Sequence, residues 1–161
     1  SIIRILDRLG PKRIVVVSSS PQIRYPDCYG IDMAKLGDFI AFRAAVALLE
    51  DEGDSEYLND LYQRAREEVL KPVNEIKNLV KELYDRFPES RVTQKISDLL
   101  RDEGVAAEIK VVYQTVDSLH QACPGHTGDW YFTGIYPTPG GNRVVNQSFI
   151  NYMEGKDRRA Y

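Results

Sequence analysis

One pair of residues in this 161-residue chain has the types and spacing of metal ligands. Cys123 and His126 form a C-x-x-H pair, which can supply two ligands to a metal ion. A structural zinc site needs four ligands, and the other cysteine and histidine, Cys28 and His120, form no second pair of this kind. We therefore favour a turn that ends in an exposed histidine, and we predict no metal ion in the chain.

Cys28 and a glycine-rich segment have both a chemical and a structural interpretation. A cysteine and a histidine are the residue types of a nucleophile and its base, but a buried or half-buried structural thiol is the simpler interpretation of Cys28. The backbone N–H groups of residues 139–143, Pro-Gly-Gly-Asn-Arg, could cradle an anion. The strand-loop-helix context of a phosphate loop is missing there, so we favour a tight turn. We assign no catalytic, substrate-binding or metal-binding residue.

Hydrophobic periodicity predicts the elements that position these residues. Helices are expected in six segments, which are residues 2–9, 35–50, 54–87, 92–100, 115–123 and 146–152. Residues 14–17 form a β-branched run that is typical of a strand buried on both faces of a parallel sheet. Further strands are expected at residues 108–113 and 130–136.

The segment 54–87 carries a narrow apolar stripe with steps of three and four residues. Asp54 or Ser55 can cap its start, and Ser90 can cap the helix that follows. Pro72 predicts a kink or two helices, because an interior proline costs roughly 3 kcal/mol. The stripe must be covered, either by the rest of the chain or by a partner subunit.

Composition excludes several classes of protein. The chain has 21 Lys and Arg against 24 Asp and Glu, so a nucleic-acid binder with a broad basic face is not expected. The longest apolar runs, residues 14–17 and 44–49, are far shorter than the roughly 20 residues that span a bilayer. Two cysteines cannot build a disulfide framework and no secretory signal opens the chain, so we expect a cytoplasmic protein without membrane or nucleic-acid partners.

Two motifs resemble the glutamine phosphoribosylpyrophosphate amidotransferase family, the amidophosphoribosyltransferases that open purine biosynthesis. The first lies in residues 1–37 and centres on Tyr29-Gly30-Ile31-Asp32-Met33, preceded by Ser-Pro and Arg-Tyr-Pro. The second, Phe132-Thr133-Gly134-Ile135-Tyr136-Pro137-Thr138, resembles a segment near the C-terminus of the family. Between them, residues 92–122 have a similar helix-strand-helix layout.

The resemblance implies an enzyme whose chemistry takes place outside this chain. In the family, an N-terminal glutaminase domain releases ammonia from glutamine, and the ammonia displaces pyrophosphate from phosphoribosylpyrophosphate to give 5-phosphoribosylamine. The family's phosphate-binding loop precedes the helix that matches residues 2–9, so it would have ended just before Ser1. We therefore expect a C-terminal fragment that is inactive by itself. The parent enzyme is expected to bind magnesium and to form a homo-oligomer, and the missing glutaminase domain is the expected partner.

Some family members hold an iron–sulfur cluster, and the resemblance places its cysteines at three positions of this chain. Those positions hold Asp27, Gly128 and Tyr131, while Cys28 is one residue late. Thiolates are needed to hold such a cluster, so none is expected. The matched motif also contains Tyr29 and Asp32, for which we favour a packing role over contact with a ligand.

The predicted fold class is α/β and predominantly helical, a helix–strand remnant of a phosphoribosyltransferase-type parallel sheet with a long helical insertion. Residues 1–44 are interpreted as the C-terminal part of the transferase domain and residues 45–89 as an inserted helical hairpin. Residues 90–161 are interpreted as a C-terminal region that returns to the transferase domain. We expect the hairpin to contact another subunit or the glutaminase domain. The alternative function is a non-catalytic helical interaction module.

Overall fold

The computed structural model of the chain describes residues 1–29, 33–101, 103–125 and 128–160. The predicted α/β, mostly helical class is confirmed. The helices are α1 (Ile2–Asp7), α2 (Ile40–Asp51), α3 (Glu56–Glu68), α4 (Val80–Asp85), α5 (Glu89–Leu100), α6 (Val116–Ala122), α7 (Trp130–Thr133) and α8 (Pro139–Met153). The strands are β1 (Arg13–Ser18) and β2 (Glu108–Tyr113). Within the described ranges, no helix has the length and apolar content needed to cross a membrane.

The two strands pair in parallel, with Ile14 opposite Ile109 and Val16 opposite Val111. Parallel strands need a crossover connection, and the crossover between β1 and β2 contains α2, α3, α4 and α5. Helix α5 lies against β2, and α2 lies against α5. Ile14, Ile109 and Val111 are buried, so the helical layer covers the face of the sheet to which they belong.

The prediction that residues 14–17 are buried on both faces is wrong for this chain. Val15 and Val17 are 50% and 73% exposed. Strand side chains alternate between the two faces of a sheet, so Val15 and Val17 lie on the face opposite Ile14. Val16, on the same face as Ile14, is also 37% exposed, so the described helices cover only part of that face. The β-branched run predicts the strand correctly, but burial also depends on which elements cover each face.

The main hydrophobic core lies between the helices. Phe42 of α2 is fully buried, and its ring meets Phe149 and Tyr152 of α8 edge-on at centroid distances of 6.2 and 4.8 Å. Leu61 of α3 and Leu83 of α4 are fully buried in the same cluster. The predicted transferase segment, hairpin and C-terminal region therefore all contribute side chains to one core.

The apolar stripe of residues 54–87 is covered largely by this chain. Helix α3 packs on α8, which buries Leu61 completely. The division into two helices that Pro72 predicts is confirmed: the chain leaves the helix after Glu68 and forms a 3₁₀ turn at Val73–Glu75 before α4 begins. Pro72 explains the break, since it lacks an N–H and disfavours helical backbone in the residue before it. Because α8 covers α3, that part of the stripe needs no partner subunit to cover it, and the contact of the hairpin with another subunit or the glutaminase domain stays a prediction.

The predicted side-chain caps are wrong for both α3 and α5. Ser55 is the N-cap residue of α3, but its side chain makes no capping hydrogen bond. A capping side chain normally needs extended backbone, whereas Ser55 already has helical angles. Asp54 instead forms an ion pair with Arg86 at 2.6 Å. Helix α5 begins after Pro88, so Ser90 lies inside its first turn.

The C-terminal region is more helical than the sequence predicts. The sequence pattern predicts a strand over residues 130–136, but Trp130–Thr133 forms α7, which ends at Gly134 with a left-handed φ of +71°. The predicted tight turn at residues 139–143 is the first turn of α8. Pro139 is favourable there, because the first helical position has no intrahelical partner for an N–H.

A buried asparagine connects α8 to the segment before α4, and its removal should be destabilising. Asn146 accepts a hydrogen bond from the Leu79 N–H at 3.1 Å and donates to the Lys77 carbonyl at 2.8 Å. Asn146→Ala leaves both backbone groups without a partner, so we expect the free energy of unfolding in urea to fall by about 2–4 kcal/mol. Gln147→Ala, at the next position, is the control and should cost about 0.5 kcal/mol. Equal effects of the two substitutions would contradict the prediction.

Candidate functional site

The two family-like motifs lie next to each other in the structure. The Tyr136 hydroxyl donates to the Pro26 carbonyl at 2.7 Å, across 110 residues of chain. The backbone N–H groups of Arg24 and Tyr25 both donate to the Tyr131 carbonyl, at 2.8 and 3.1 Å. We call residues 24–29 together with residues 131–136 the motif cluster.

Two glycines allow the backbone to approach the tyrosines of the motif cluster. A Cβ on Gly134 would lie 2.7 Å from the Tyr25 ring. A Cβ on Gly141, in the first turn of α8, would overlap the ring of Tyr136. These close approaches hold Tyr25 and Tyr136 against the ends of α7 and α8.

Tyr84 of α4 attaches the motif cluster to the core. Its hydroxyl donates to the Arg24 carbonyl at 2.9 Å, and its ring meets Tyr25 edge-on at 5.4 Å. The Arg24 guanidinium lies over the Tyr84 ring, 5.1 Å from its centroid. Burial raises the pKa of Tyr84, Tyr25 and Tyr136 well above the usual value of 10. At neutral pH these phenols are therefore hydrogen-bond donors and cannot serve as bases.

The residues singled out in the first motif have different environments. Tyr29 is 59% exposed, and its ring meets Trp130 edge-on at 5.8 Å. Cys28 is half-buried, and desolvation followed by the nearby Asp27 carboxylate raises the pKa of its thiol. A raised pKa lowers the thiolate fraction, which weakens the interpretation of Cys28 as a nucleophile. Asp32 lies outside the described residues.

Two of the three positions matched to iron–sulfur cysteines are in direct contact. The Tyr131 hydroxyl donates to the Asp27 carboxylate at 3.2 Å, and Asp27 is only 1% exposed. The third position, Gly128, has no side-chain donor. A carboxylate, a phenol and a glycine do not fit an iron–sulfur cluster, which thiolates hold.

The other metal and anion interpretations gain no support. His126 of the C-x-x-H pair lies outside the described residues. Within the ranges the structure describes, no group of three or more His, Cys, Asp or Glu side chains could hold a metal ion. In the segment 139–143, the Gly141 N–H donates to the Thr138 carbonyl at 3.0 Å, and Asn142 donates to the Ile76 carbonyl at 2.8 Å. These donors already have partners within the chain.

Sequence reasoning missed one pair of polar residues. His120 Nε2 lies 2.9 Å from Asp129 Oδ2. His120 is on α6 and Asp129 precedes α7, so no helical or strand periodicity relates the two positions. The contact between the two side chains depends on the path of the connection between α6 and α7, which the spacing of the residues does not indicate.

In comparisons with known proteins, no family model, curated protein or solved structure matches the chain.

The geometry of the motif cluster is that of a packed hydrogen-bonded structure. The Tyr136 hydroxyl donates to a backbone carbonyl, the Tyr131 hydroxyl donates to the Asp27 carboxylate, and the Cys28 thiol is half-buried. The cluster is therefore suited to holding distant segments together.

Proposed function

We propose that this chain is the C-terminal part of a glutamine phosphoribosylpyrophosphate amidotransferase. The reaction of the parent enzyme converts glutamine, phosphoribosylpyrophosphate and water to 5-phosphoribosylamine, glutamate and pyrophosphate. The observation that carries the proposal is the motif cluster. Two motifs of the family, far apart in sequence, are joined there by the 2.7 Å hydrogen bond from Tyr136 to Pro26.

The positions of Asp27 and Tyr131 give independent support. In relatives with an iron–sulfur cluster, the corresponding cysteines bind the same group and must lie close together. Here the two side chains are 3.2 Å apart. The short distance between these two side chains supports the proposal, because members of the resembled family have metal ligands at the corresponding positions.

The exposed face of the sheet supports the phosphoribosyltransferase-type fold. Within the described part of the chain, β1 pairs with β2 alone, although parallel sheets are normally larger and covered on both faces. The accessible surface is 9364 Å², whereas a monomeric protein of this mass exposes about 8,200 Å². We infer that further strands of the parent sheet lie beside β1 and that other elements cover Val15 and Val17.

The role proposed for this chain is to complete the transferase domain. Its residues supply no catalytic group in the proposed reaction, and the chain alone should be inactive. The phosphate-binding loop, the magnesium ion and the glutaminase domain belong to the rest of the proposed parent enzyme. A homo-oligomer and a cytoplasmic location are parts of the same proposal.

The reading frame that encodes this chain provides the test. We expect two adjacent acidic residues and a Gly-Thr-Thr-like turn within about fifteen residues upstream of Ser1, the reach of a single loop. The protein encoded by the whole frame should release pyrophosphate from phosphoribosylpyrophosphate only when glutamine or ammonia is present. A start codon directly before Ser1, or the absence of that activity, would favour the helical interaction module.

A charged substitution on the exposed face of β1 tests whether other elements of the parent enzyme cover that face. Val17 is 73% exposed, so Val17→Glu should change the free energy of unfolding of this chain by less than about 0.5 kcal/mol. In the whole encoded enzyme, the same carboxylate would be buried without a partner, and we expect activity to fall at least about tenfold. Gln94→Glu, at an exposed polar residue of α5, is the control and should leave activity unchanged. Full activity of the Val17→Glu enzyme would argue against the continued sheet.

A further inference from the structure

A groove of about 450 Å³ lies between the C-terminal end of α3 and the middle of α8. Part of its lining is apolar, because Ile150 of α8 is buried there and Val69, directly after α3, is half-buried. The polar side chains that line it are Gln63, Arg66, Glu67 and Gln147. All of these residues belong to the described part of the chain. We call this feature the α3–α8 groove.

Leu70 also lines the α3–α8 groove, but most of its side chain lies in water. It is 84% exposed, the largest fraction for any large hydrophobic residue in the described ranges. Its N–H donates to the Glu67 carbonyl at 3.2 Å, which continues the last turn of α3. An exposed leucine beside an apolar groove offers both halves of one hydrophobic contact. Two copies of the chain can make this contact with each other.

The rim of the α3–α8 groove carries one positive and one negative side chain at adjacent positions. The Arg66 guanidinium lies over the Tyr62 ring, 5.6 Å from its centroid. The Glu67 carboxylate has no ion-pair or hydrogen-bond partner among the described residues. A partner surface with a single sign of charge would be repelled by one of these two residues. The groove therefore fits a surface that presents both charges beside an apolar side chain, which is its own composition.

We propose that two copies of the chain associate through the α3–α8 groove, related by a two-fold axis. In such an interface the same surface is used by both copies, and every contact occurs twice. Leu70 of each copy enters the groove of the other and packs against Val69 and Ile150. Arg66 of each copy lies opposite Glu67 of the other, so the charges are complementary.

This dimer specifies the homo-oligomer that is part of the proposed function, and it places the subunit contact on the hairpin. The surface belongs to this chain alone, so association is measured without the amidotransferase reaction and either proposal can fail by itself. A stable interface buries about 800 Å² on each partner. One helical face and its last turn form a small interface, so we expect weak association, with a Kd on the order of 10 µM.

Sedimentation equilibrium of the full chain tests the association directly. The measured mass should rise from 18.4 kDa towards twice that value as the concentration increases from about 1 to 300 µM at pH 7. Raising the salt concentration from about 0.05 to 0.5 M should weaken the dimer severalfold, because the charged rim stays near water. A mass of 18.4 kDa at every concentration would overturn the proposal and leave the groove to another domain of the parent.

Two exposed leucines distinguish this interface from association through the sheet. Leu70→Ser should raise the Kd at least about tenfold, since the central apolar contact is lost. Leu9→Ser, on a residue of the α1 region that is 82% exposed, is the matched control and should leave the Kd unchanged. Circular dichroism verifies that both variants are folded. If Leu9→Ser weakens the dimer and Leu70→Ser does not, the interface lies elsewhere and the proposal is wrong.

Charge reversal tests which residues meet across the two-fold axis. Arg66→Glu and Glu67→Arg, each alone, should raise the Kd at least about tenfold, because like charges then face each other in both symmetric contacts. An equimolar mixture of the two variants should associate again, since one copy presents two acidic and the other two basic side chains. The double variant Arg66→Glu/Glu67→Arg should also associate. Single variants that dimerise like the parent chain, or a mixture that stays monomeric, would contradict the proposed contact.

Discussion

Raising the pH from 9 to 12 is expected to unfold the chain cooperatively, with most of the loss of stability above pH 10. Tyr84, Tyr25 and Tyr136 are responsible, because desolvation raises the pKa of each phenol in the folded state. The hydroxyls of Tyr84 and Tyr136 also donate to backbone carbonyls, and ionisation would remove these hydrogen bonds. The folded chain therefore opposes ionisation, whereas the unfolded chain does not.

The sign of the effect follows from proton linkage. Below pH 10 the three phenols are protonated in both states, and their contribution to stability is fully present. Above pH 10 the unfolded chain releases protons that the folded chain retains, so the free energy of unfolding falls as pH rises. Each tyrosine contributes about 1.4 kcal/mol per pH unit, so three contribute about 4 kcal/mol per unit. A rise of two pH units is therefore enough to unfold a domain whose free energy of unfolding lies at the lower end of the typical range of about 5–15 kcal/mol.

Urea unfolding at a series of pH values measures this dependence. Tyr84→Phe should lower stability by about 1 kcal/mol at pH 7, because the hydrogen bond to Arg24 is lost. It should also reduce the slope above pH 10 by about one third, since one of three phenols is removed. Tyr29→Phe is the control, because Tyr29 is 59% exposed and its phenol stays in water. A stability that is flat between pH 9 and 12 would contradict the burial of these tyrosines.

Gly141→Ala is expected to destabilise the chain by about 3 kcal/mol, although alanine is the better helix former. Helix propensity alone predicts a gain of about 1 kcal/mol. The added Cβ would overlap Cβ, Cγ and Cδ1 of Tyr136, whose ring is part of the motif cluster. Moving that ring breaks the hydrogen bond to Pro26. It also disturbs close packing, and overpacking of this kind typically costs about 1–3 kcal/mol in addition to the lost hydrogen bond.

The neighbouring glycine provides a matched control for this substitution. A Cβ on Gly140 would lie 3.9 Å from Thr138 Oγ1, an ordinary contact. Gly140→Ala should therefore be neutral or stabilise the chain by up to about 1 kcal/mol. Thermal and urea unfolding of the two variants give the comparison. If both substitutions stabilise the chain, the close approach of α8 to Tyr136 is wrong.

Short-range patterns predict much of the fold. The β-branched run at residues 14–17 and the alternating segment 108–113 become the two strands, and the apolar periodicity around α2 and α5 becomes buried helix. These features depend on the period of the local sequence. Pro72 predicts the division of the segment 54–87 into two helices, although not how far each helix extends. The strand interpretation of residues 130–136 fails because Gly134 takes a left-handed backbone angle that hydrophobic content does not predict.

The candidate sites depend on contacts between distant segments, and these are harder to predict. The motif cluster could be located through the resemblance of both motifs to one family, but its hydrogen bonds could not. Nothing in the spacing of His120 and Asp129 indicates their contact, which depends on where the connection after α6 returns.

The parallel pairing of β1 with β2 has a consequence for synthesis on the ribosome. Arg13 of β1 contacts Glu108 of β2 across 95 residues of chain. At about 5–20 residues per second, β1 emerges roughly 5–20 s before its partner strand exists. During that interval the backbone groups of β1 that later pair with β2 are open to association with other nascent chains. Slow translation through α2 to α5 should therefore favour aggregation of this protein.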